Sequence, residues 1–110
     1  MRPVSEMRQE MQRPKPSEAE ERKALSCYHH AIAAEIQRRC AEKWPEAADK
    51  AGTLAVCQAR VGKPVLRLST IRRAYQTGVV SLLAAREIAK ALDCTMHDIL
   101  DAGHAAVQEI

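Results

Sequence analysis

The chain contains no phenylalanine, one tryptophan and two tyrosines among its 110 residues. Hydrophobic residues nevertheless make up 46% of the sequence, so a core has to be built from alanine, leucine, isoleucine and valine. Side chains of this size suit closely packed helices, and no stretch alternates apolar and polar residues as a half-buried strand does. We therefore predict an all-α fold, a compact helical bundle of about five helices.

The first sixteen residues differ in composition from the rest of the chain. They contain three prolines and charges of both signs but no repeating apolar face. Such a segment cannot bury enough surface to order itself. We therefore predict a disordered N-terminal arm over residues 1–16 and a helical domain over residues 17–110.

Ser17 opens the first predicted helix, because Glu20 follows it at the spacing of a capping box. The apolar pattern continues to about Trp44, which makes this long N-terminal helix about 26 residues in length. Its N-terminal half either projects and pairs with another subunit or folds across the bundle. The residues predicted on its inward face are Leu25, Tyr28, Ile32, Ile36 and Cys40.

Proline and glycine divide the middle of the chain. Pro45 suits the first turn of a short helix that Gly52 would end, and Thr53 would cap the next helix. The Gly-Lys-Pro sequence at residues 62–64 then predicts a turn before a further helical segment, which Gly78 ends. Leu54, Cys57 and Val61 are predicted to line the inward side of the helix before that turn.

Short polar side chains mark the last two helices. Ser81 and Thr95 are their predicted N-caps, and residues 101–110 would extend the second of them. The residues predicted to face the core are Leu82, Ala85, Ile88, Ala89 and Leu92 after Ser81, and Met96, Ile99 and Leu100 after Thr95.

Positive charge is concentrated between Asp49 and Glu87, where the sequence has no acidic residue. The seven basic residues of this stretch are Lys50, Arg60, Lys63, Arg67, Arg72, Arg73 and Arg86. The net charge of the whole chain is only +3, so the positive charge is concentrated in this stretch. A segment of this kind attracts polyanions, and nucleic acid is the partner that it suggests first.

Apolar residues within the basic stretch predict a helix with two different faces. Val65, Leu68, Ile71 and Tyr75 recur at helical spacing and would face the core. The polar residues left on the other faces are Arg67, Ser69, Thr70, Arg72, Arg73 and Gln76. Arginine and glutamine can hydrogen-bond to guanine and adenine edges, and a helix fits the major groove. A solvated basic helix packed on a core is the alternative interpretation.

Three motifs resemble one known family. They are Ser69-Thr70-Ile71-Arg72-Arg73, then Gly78, then the sequence IAKALDCTMHDIL at residues 88–100. Together they resemble the helix-turn-helix domain of the Cro and phage-repressor (xenobiotic-response-element) family. The resemblance implies a five-helix domain that binds duplex DNA with its third helix in the major groove, usually as a dimer on a palindrome. Gly62 precedes Ile71 by nine residues, three or so more than in the family, which implies a longer turn.

These observations predict a sequence-specific double-stranded DNA-binding transcriptional regulator, a repressor, that acts as a homodimer. The predicted DNA-binding residues are Arg67, Ser69, Thr70, Arg72, Arg73 and Gln76 on the recognition helix, with Arg60 and Lys63 beside it on phosphates. The alternative is a protein-binding module that keeps a helix-turn-helix scaffold and binds a protein partner through the long N-terminal helix.

Other chemistry finds little support in the sequence. Cys27, His29, His30 and Cys40 offer zinc ligands, but one helix cannot make them converge, so we expect no metal and no cofactor. No phosphate-binding glycine loop or known catalytic motif occurs, so we expect no enzyme. The lack of a membrane-length apolar run, of a secretory signal and of a close cysteine pair predicts a cytoplasmic protein with reduced thiols.

Overall fold

The computed structural model describes residues 17–109, which form five α-helices and no β-strand. The helices are α1 (Glu18–Lys43), α2 (Lys50–Val61), α3 (Leu68–Thr77), α4 (Leu82–Ala91) and α5 (Met96–Gln108). The predicted all-α bundle is confirmed. The arm predicted over residues 1–16 lies outside the described residues.

Helix α1 begins where the sequence predicts. The Ser17 hydroxyl accepts a hydrogen bond from the Glu20 N–H at 3.2 Å, and three glutamates lie in the first turn, where the helix dipole favours negative charge. The helix ends at Lys43, and the Trp44 N–H still donates to the Cys40 carbonyl. Helix α1 packs against α2, α3 and α5, and α4 reaches it only through these helices.

The core contains small and branched aliphatic side chains and no large aromatic one among its fully buried members. Ile32, Ile36, Leu54, Ile71 and Ile99 have no exposed surface, and burial of each such side chain contributes about 1.5–3 kcal/mol. Seven of the fifteen buried hydrophobic residues in the described range are alanines, which lets the helices approach closely. Fully buried Ile88 joins the same cluster from α4, which packs against α2 and α5.

The helix predicted from Pro45 to Gly52 does not form. Helix α2 begins at Lys50 instead, because the Asp49 side chain accepts a hydrogen bond from the Gly52 N–H at 3.1 Å and so caps this helix. Gly52 therefore lies in the first turn of α2, and Thr53, predicted as an N-cap, donates its hydroxyl proton to the Asp49 carbonyl. Aspartate is a better N-cap than threonine, which explains the earlier start.

Residues 62–67 connect α2 to α3 and contain the turn predicted at Gly-Lys-Pro. The connection is longer than the three or four residues that usually join the two helices of a helix-turn-helix. Val65 and Leu68 are exposed, contrary to the prediction that they face the core, because α3 begins only at Leu68 and Val65 precedes it. Leu66 is the partly buried residue of this connection.

Helix α3 ends at Gly78, which has a left-handed backbone with φ of +74°. A Cβ at this position would lie 1.7 Å from the main-chain oxygen of His29 in α1. Glycine is therefore required both by the conformation and by the space. The predicted end of the segment is confirmed.

The N-caps of the last two helices are also confirmed. Ser81 accepts from the Ala84 N–H at 3.1 Å, and Thr95 and Asp98 form a reciprocal capping box at the start of α5. Three residues predicted to face inward are exposed instead: Leu25 in the first third of α1, Val61 at the end of α2 and Leu82 at the start of α4. None of the helices in residues 17–109 combines the length and the apolar character that a membrane span needs.

Candidate nucleic-acid interface

The outward face of α3 carries three of the predicted DNA-binding side chains. Ser69, Arg73 and Gln76 are exposed, and on a helix they lie within about 60° of one another. Ile71 and Ala74 lie on the opposite side and are fully buried. The helix is thus anchored through one face and presents a hydrogen-bonding stripe on the other.

The two other predicted residues of α3 lie at the border between these faces. Thr70 is half-buried, and the Arg72 side chain is 39% exposed. Arg72 donates two hydrogen bonds to the Asp49 carboxylate at the start of α2. The Arg72 guanidinium and the Gly52 N–H together lower the pKa of Asp49, and Asp49 raises the pKa of Arg72. Arg72 is therefore engaged by a carboxylate of the neighbouring helix at the surface of the bundle.

Four of the predicted cationic residues are exposed and make no ion pair with another residue of the range 17–109. They are Arg60 at the end of α2, Lys63 in the connection, Arg67 at the N-cap of α3 and Arg73 within it. We call these four residues the basic face. They follow one another along the chain from the end of α2 to the middle of α3, with no acidic residue between them.

Basic side chains elsewhere in the described part of the chain are mostly matched by carboxylates. Arg38 and Arg39 both bind Glu35, and Lys43 binds Asp93 at 2.7 Å. This contrast sets the basic face apart from a surface of interspersed charges.

Arg86, the last cation of the acid-free stretch, binds a carboxylate that is fully buried. Glu87 Oε1 accepts hydrogen bonds from Lys90 at 2.9 Å and from Arg86 at 3.1 Å. Lys90 first, and Arg86 after it, lower the pKa of Glu87, although desolvation acts in the opposite direction. The buried Glu87 Oε2 has no hydrogen-bond partner within residues 17–109. Arg86 is thus paired with a buried carboxylate, unlike the four residues of the basic face, and it follows them in the sequence on a different helix.

Gln58 is a residue of this region that the sequence analysis did not single out. It is fully buried on α2, one turn after Leu54. Its Nε2 donates to the Pro64 carbonyl and its Oε1 accepts from the Leu66 N–H, both at 2.8 Å. The available signal was its place in the sequence, because position 58 follows Leu54 at the helical spacing of the buried face.

The candidate zinc ligands of α1 lie apart from this interface. His29 Nδ1 lies 3.2 Å from the Gly78 carbonyl, and Cys40 belongs to the core, where burial raises the pKa of its thiol to about 11. Within residues 17–109, no group of three or more histidine, cysteine, aspartate or glutamate side chains is arranged to hold a metal ion.

Comparison of the chain with protein-family models, with curated protein sequences and with solved structures returned no match. The resemblance to the Cro and phage-repressor family therefore stays a prediction made from the motifs, and the function has to be argued from the geometry described above.

Proposed function

We propose that this protein binds double-stranded DNA sequence-specifically, with α3 in the major groove, and acts as a transcriptional repressor. The observation that supports this most is the basic face: Arg60, Lys63, Arg67 and Arg73 are exposed and have no carboxylate partner among the described residues. Exposed cations without a carboxylate partner can neutralise DNA phosphates, and the counterions released from the DNA favour binding. The cytoplasmic location expected from the sequence belongs to the same proposal.

The side chains of α3 divide by role in this proposal. Ser69, Arg73 and Gln76 share the outward stripe and are assigned to base edges, because arginine and glutamine can make two hydrogen bonds to guanine and adenine respectively. Arg60 and Lys63 precede the helix and are assigned to phosphates. Arg72 is assigned to holding α3 against α2 through Asp49.

Selection of bound duplexes from a random pool tests the proposal directly. A common sequence among the selected duplexes, bound at least about tenfold more tightly than a scrambled duplex at the same salt concentration, is the expected result. Equal binding of all duplexes would mean that the protein binds DNA only through its charge, without sequence preference. No binding of any duplex would contradict the proposal.

We further propose that the DNA-bound form is a homodimer, because one recognition helix buries little surface on DNA. Residues 17–23, at the start of α1, are exposed at every position. Beside them, an open groove of about 410 Å³ runs between α1 and the end of α5, lined by Ala24, Leu25, Tyr28 and Val107 with Glu20 and Glu21 at its edge. A second copy pairing along α1 would cover this groove.

The same groove is the observation that favours the second candidate function, a module that binds a different protein. Leu25 is 56% exposed at its centre, and exposed leucines grouped with other apolar residues commonly mark interaction sites. The two candidates differ in what light scattering of the purified chain detects. A molar mass of two chains supports the homodimer. A molar mass of one chain, together with no binding of any duplex in the selection experiment, supports the second candidate.

A further inference from the structure

The buried side-chain amide of Gln58 hydrogen-bonds to two main-chain groups of the connection between α2 and α3. Gln58 Nε2 donates to the Pro64 carbonyl, and Gln58 Oε1 accepts from the Leu66 N–H, each at 2.8 Å. These two main-chain groups belong to residues 62–67, which lie outside the helices and so have no helical hydrogen-bond partners for these groups. One side chain of α2 therefore fixes both the middle and the end of the connection.

Gly62 provides the space that the Gln58 amide occupies. Its backbone is extended, with φ of −86° and ψ of 142°, which any residue adopts. A Cβ there would nevertheless lie 1.9 Å from Gln58 Nε2 and 2.7 Å from the Gln58 carbonyl oxygen. Glycine at position 62 is thus required by the side chain of Gln58 and by the backbone beneath it.

The start of α3 depends on this connection more than the starts of its neighbours do. Ser17, Asp49, Ser81 and Thr95 each cap their helix through a side-chain hydrogen bond. Arg67, the N-cap of α3, makes no such bond. Among the helices of residues 17–109, α3 is therefore the one whose first turn is located by the segment before it.

We propose that Gln58 is a positioning residue for DNA reading. Its amide sets the path of residues 62–67 and thereby the position at which α3, with Ser69, Arg73 and Gln76, meets the base edges. The inference rests on the proposed function. It extends that function to a side chain that touches no DNA, and it explains how a connection longer than a usual helix-turn-helix turn holds its second helix in one place.

Gln58→Met is the variant that tests the inference, because methionine has similar length and stays buried but makes neither hydrogen bond. Gln108→Met, at the exposed end of α5, is the matched control. Affinities for a duplex chosen by selection and for its scrambled counterpart are measured at one salt concentration. We expect Gln58→Met to weaken binding to the selected duplex about tenfold and to the scrambled duplex by less than about twofold.

Amide hydrogen exchange in the same full-length variants provides a readout that does not require DNA. The Leu66 N–H should be protected in the wild-type chain and lose that protection in Gln58→Met, while amides in the centre of α5 keep theirs. Protection lost throughout the chain would mean that the variant has unfolded. In that case Gly62→Ala serves instead, since its Cβ would displace the Gln58 amide while residue 58 itself stays unchanged.

A double-mutant cycle gives an internal check. Gly62→Ala should reduce the preference for the selected duplex more in the wild-type background than in Gln58→Ala, because the contact at 1.9 Å disappears when the side chain is removed.

The outcomes separate the inference from the proposed function. A wild-type chain that prefers no sequence overturns the proposed function. A wild-type chain that does discriminate, together with a folded Gln58→Met variant that keeps the same preference or weakens both duplexes equally, overturns only the role of Gln58.

Discussion

The guanidinium of Arg72 donates two hydrogen bonds to the carboxylate of Asp49, with Nη1 at 3.2 Å and Nη2 at 2.6 Å from its oxygens. Asp49 caps α2 at the same time by accepting the Gly52 N–H. The pair therefore joins the first turn of α2 to the middle of α3. While this pair is intact, the guanidinium edge that would bind guanine is occupied, so we expect the contribution of Arg72 to DNA binding to be one of placement.

The first prediction concerns the pH dependence of this pair. Asp49→Asn keeps an efficient N-cap but loses the charge, so we expect a lower melting temperature near neutral pH. The pKa of Asp49 is lowered from 3.8 in the folded chain, so the stability it contributes is present above pH 3.8 and is lost as pH falls through the lowered pKa. The difference in melting temperature between wild type and variant should therefore shrink on acidification.

Circular dichroism melts over a pH series measure this difference. Asp101→Asn is the control, because Asp101 is exposed on α5 and pairs with no cation of the described chain. A difference for Asp49→Asn that persists unchanged in acid would show that the charge of Asp49 does not stabilise the fold.

The second prediction compares two adjacent arginines of α3. Arg73→Ala should weaken binding to the selected duplex about tenfold or more and binding to a scrambled duplex much less, because Arg73 lies on the outward stripe. Arg72→Ala should lower the melting temperature, whereas Arg73→Ala should leave it nearly unchanged. Competition titrations and thermal melts of both variants measure the two effects. The assignment of roles is wrong if the two variants exchange these phenotypes.

The third prediction concerns phosphate contacts. Lys63→Ala should weaken binding to every duplex alike and lower the slope of log affinity against log salt by about one unit. Lys23→Ala, an exposed lysine in the first half of α1, is the matched control and should leave the slope unchanged. Titrations at several salt concentrations provide the slope. A loss confined to the selected duplex would place Lys63 on a base instead.

The fourth prediction concerns the homodimer. Leu25→Glu places a carboxylate in the groove between α1 and α5, next to Glu21. If the dimer pairs along this groove, its dissociation constant should rise about tenfold or more, because the new carboxylate loses its water on association and faces acidic neighbours. Light scattering at tens of micromolar, with Leu82→Glu as an exposed control on α4, measures the change. Equal association of the two variants would exclude this groove as the interface.

The fifth prediction concerns the end of α3. Gly78→Ala should destabilise the fold by about 2 kcal/mol or more, because alanine is strained at positive φ and its Cβ would meet the His29 main chain at 1.7 Å. Gly78→Asn separates the two causes, since asparagine tolerates the left-handed conformation but carries the same Cβ. Urea unfolding should show that asparagine gives little recovery. Full recovery would mean that conformation alone requires the glycine.

The helices that the sequence predicts well are those with local signals. Ser17, Ser81 and Thr95 cap the helices they were expected to cap, and Gly78 ends α3, because a cap depends on residues within one turn of it. The predicted start of α2 at Thr53 is wrong because Asp49, its N-cap, lies inside the short helix predicted from Pro45 to Gly52. Asp49 also pairs with Arg72, 23 residues away, a contact that the local sequence does not contain.

The sequence predicts which side chains of the candidate site are exposed but not which of them pair with other elements. The exposure of Ser69, Arg73 and Gln76 follows from helical periodicity around Ile71. The pairing of Arg72 with Asp49 and the hydrogen bonds of Gln58 to residues 64 and 66 depend on contacts between elements, which periodicity does not contain. Val65 was misplaced for a related reason, since its spacing from Leu68 has helical meaning only if the helix includes it.

The alanines of the core have a consequence for how this chain can change over generations. Ala33, Ala74, Ala85 and Ala89 are almost without exposed surface, and an alanine has only one methyl group left to lose. Truncation at these positions opens little cavity, whereas any larger residue costs about 1–3 kcal/mol through overpacking. The interior is thus close to the smallest version of itself. Substitution is least constrained on the outside, where the exposed face of α3 and the basic face lie, so these surfaces can diversify while the scaffold stays the same.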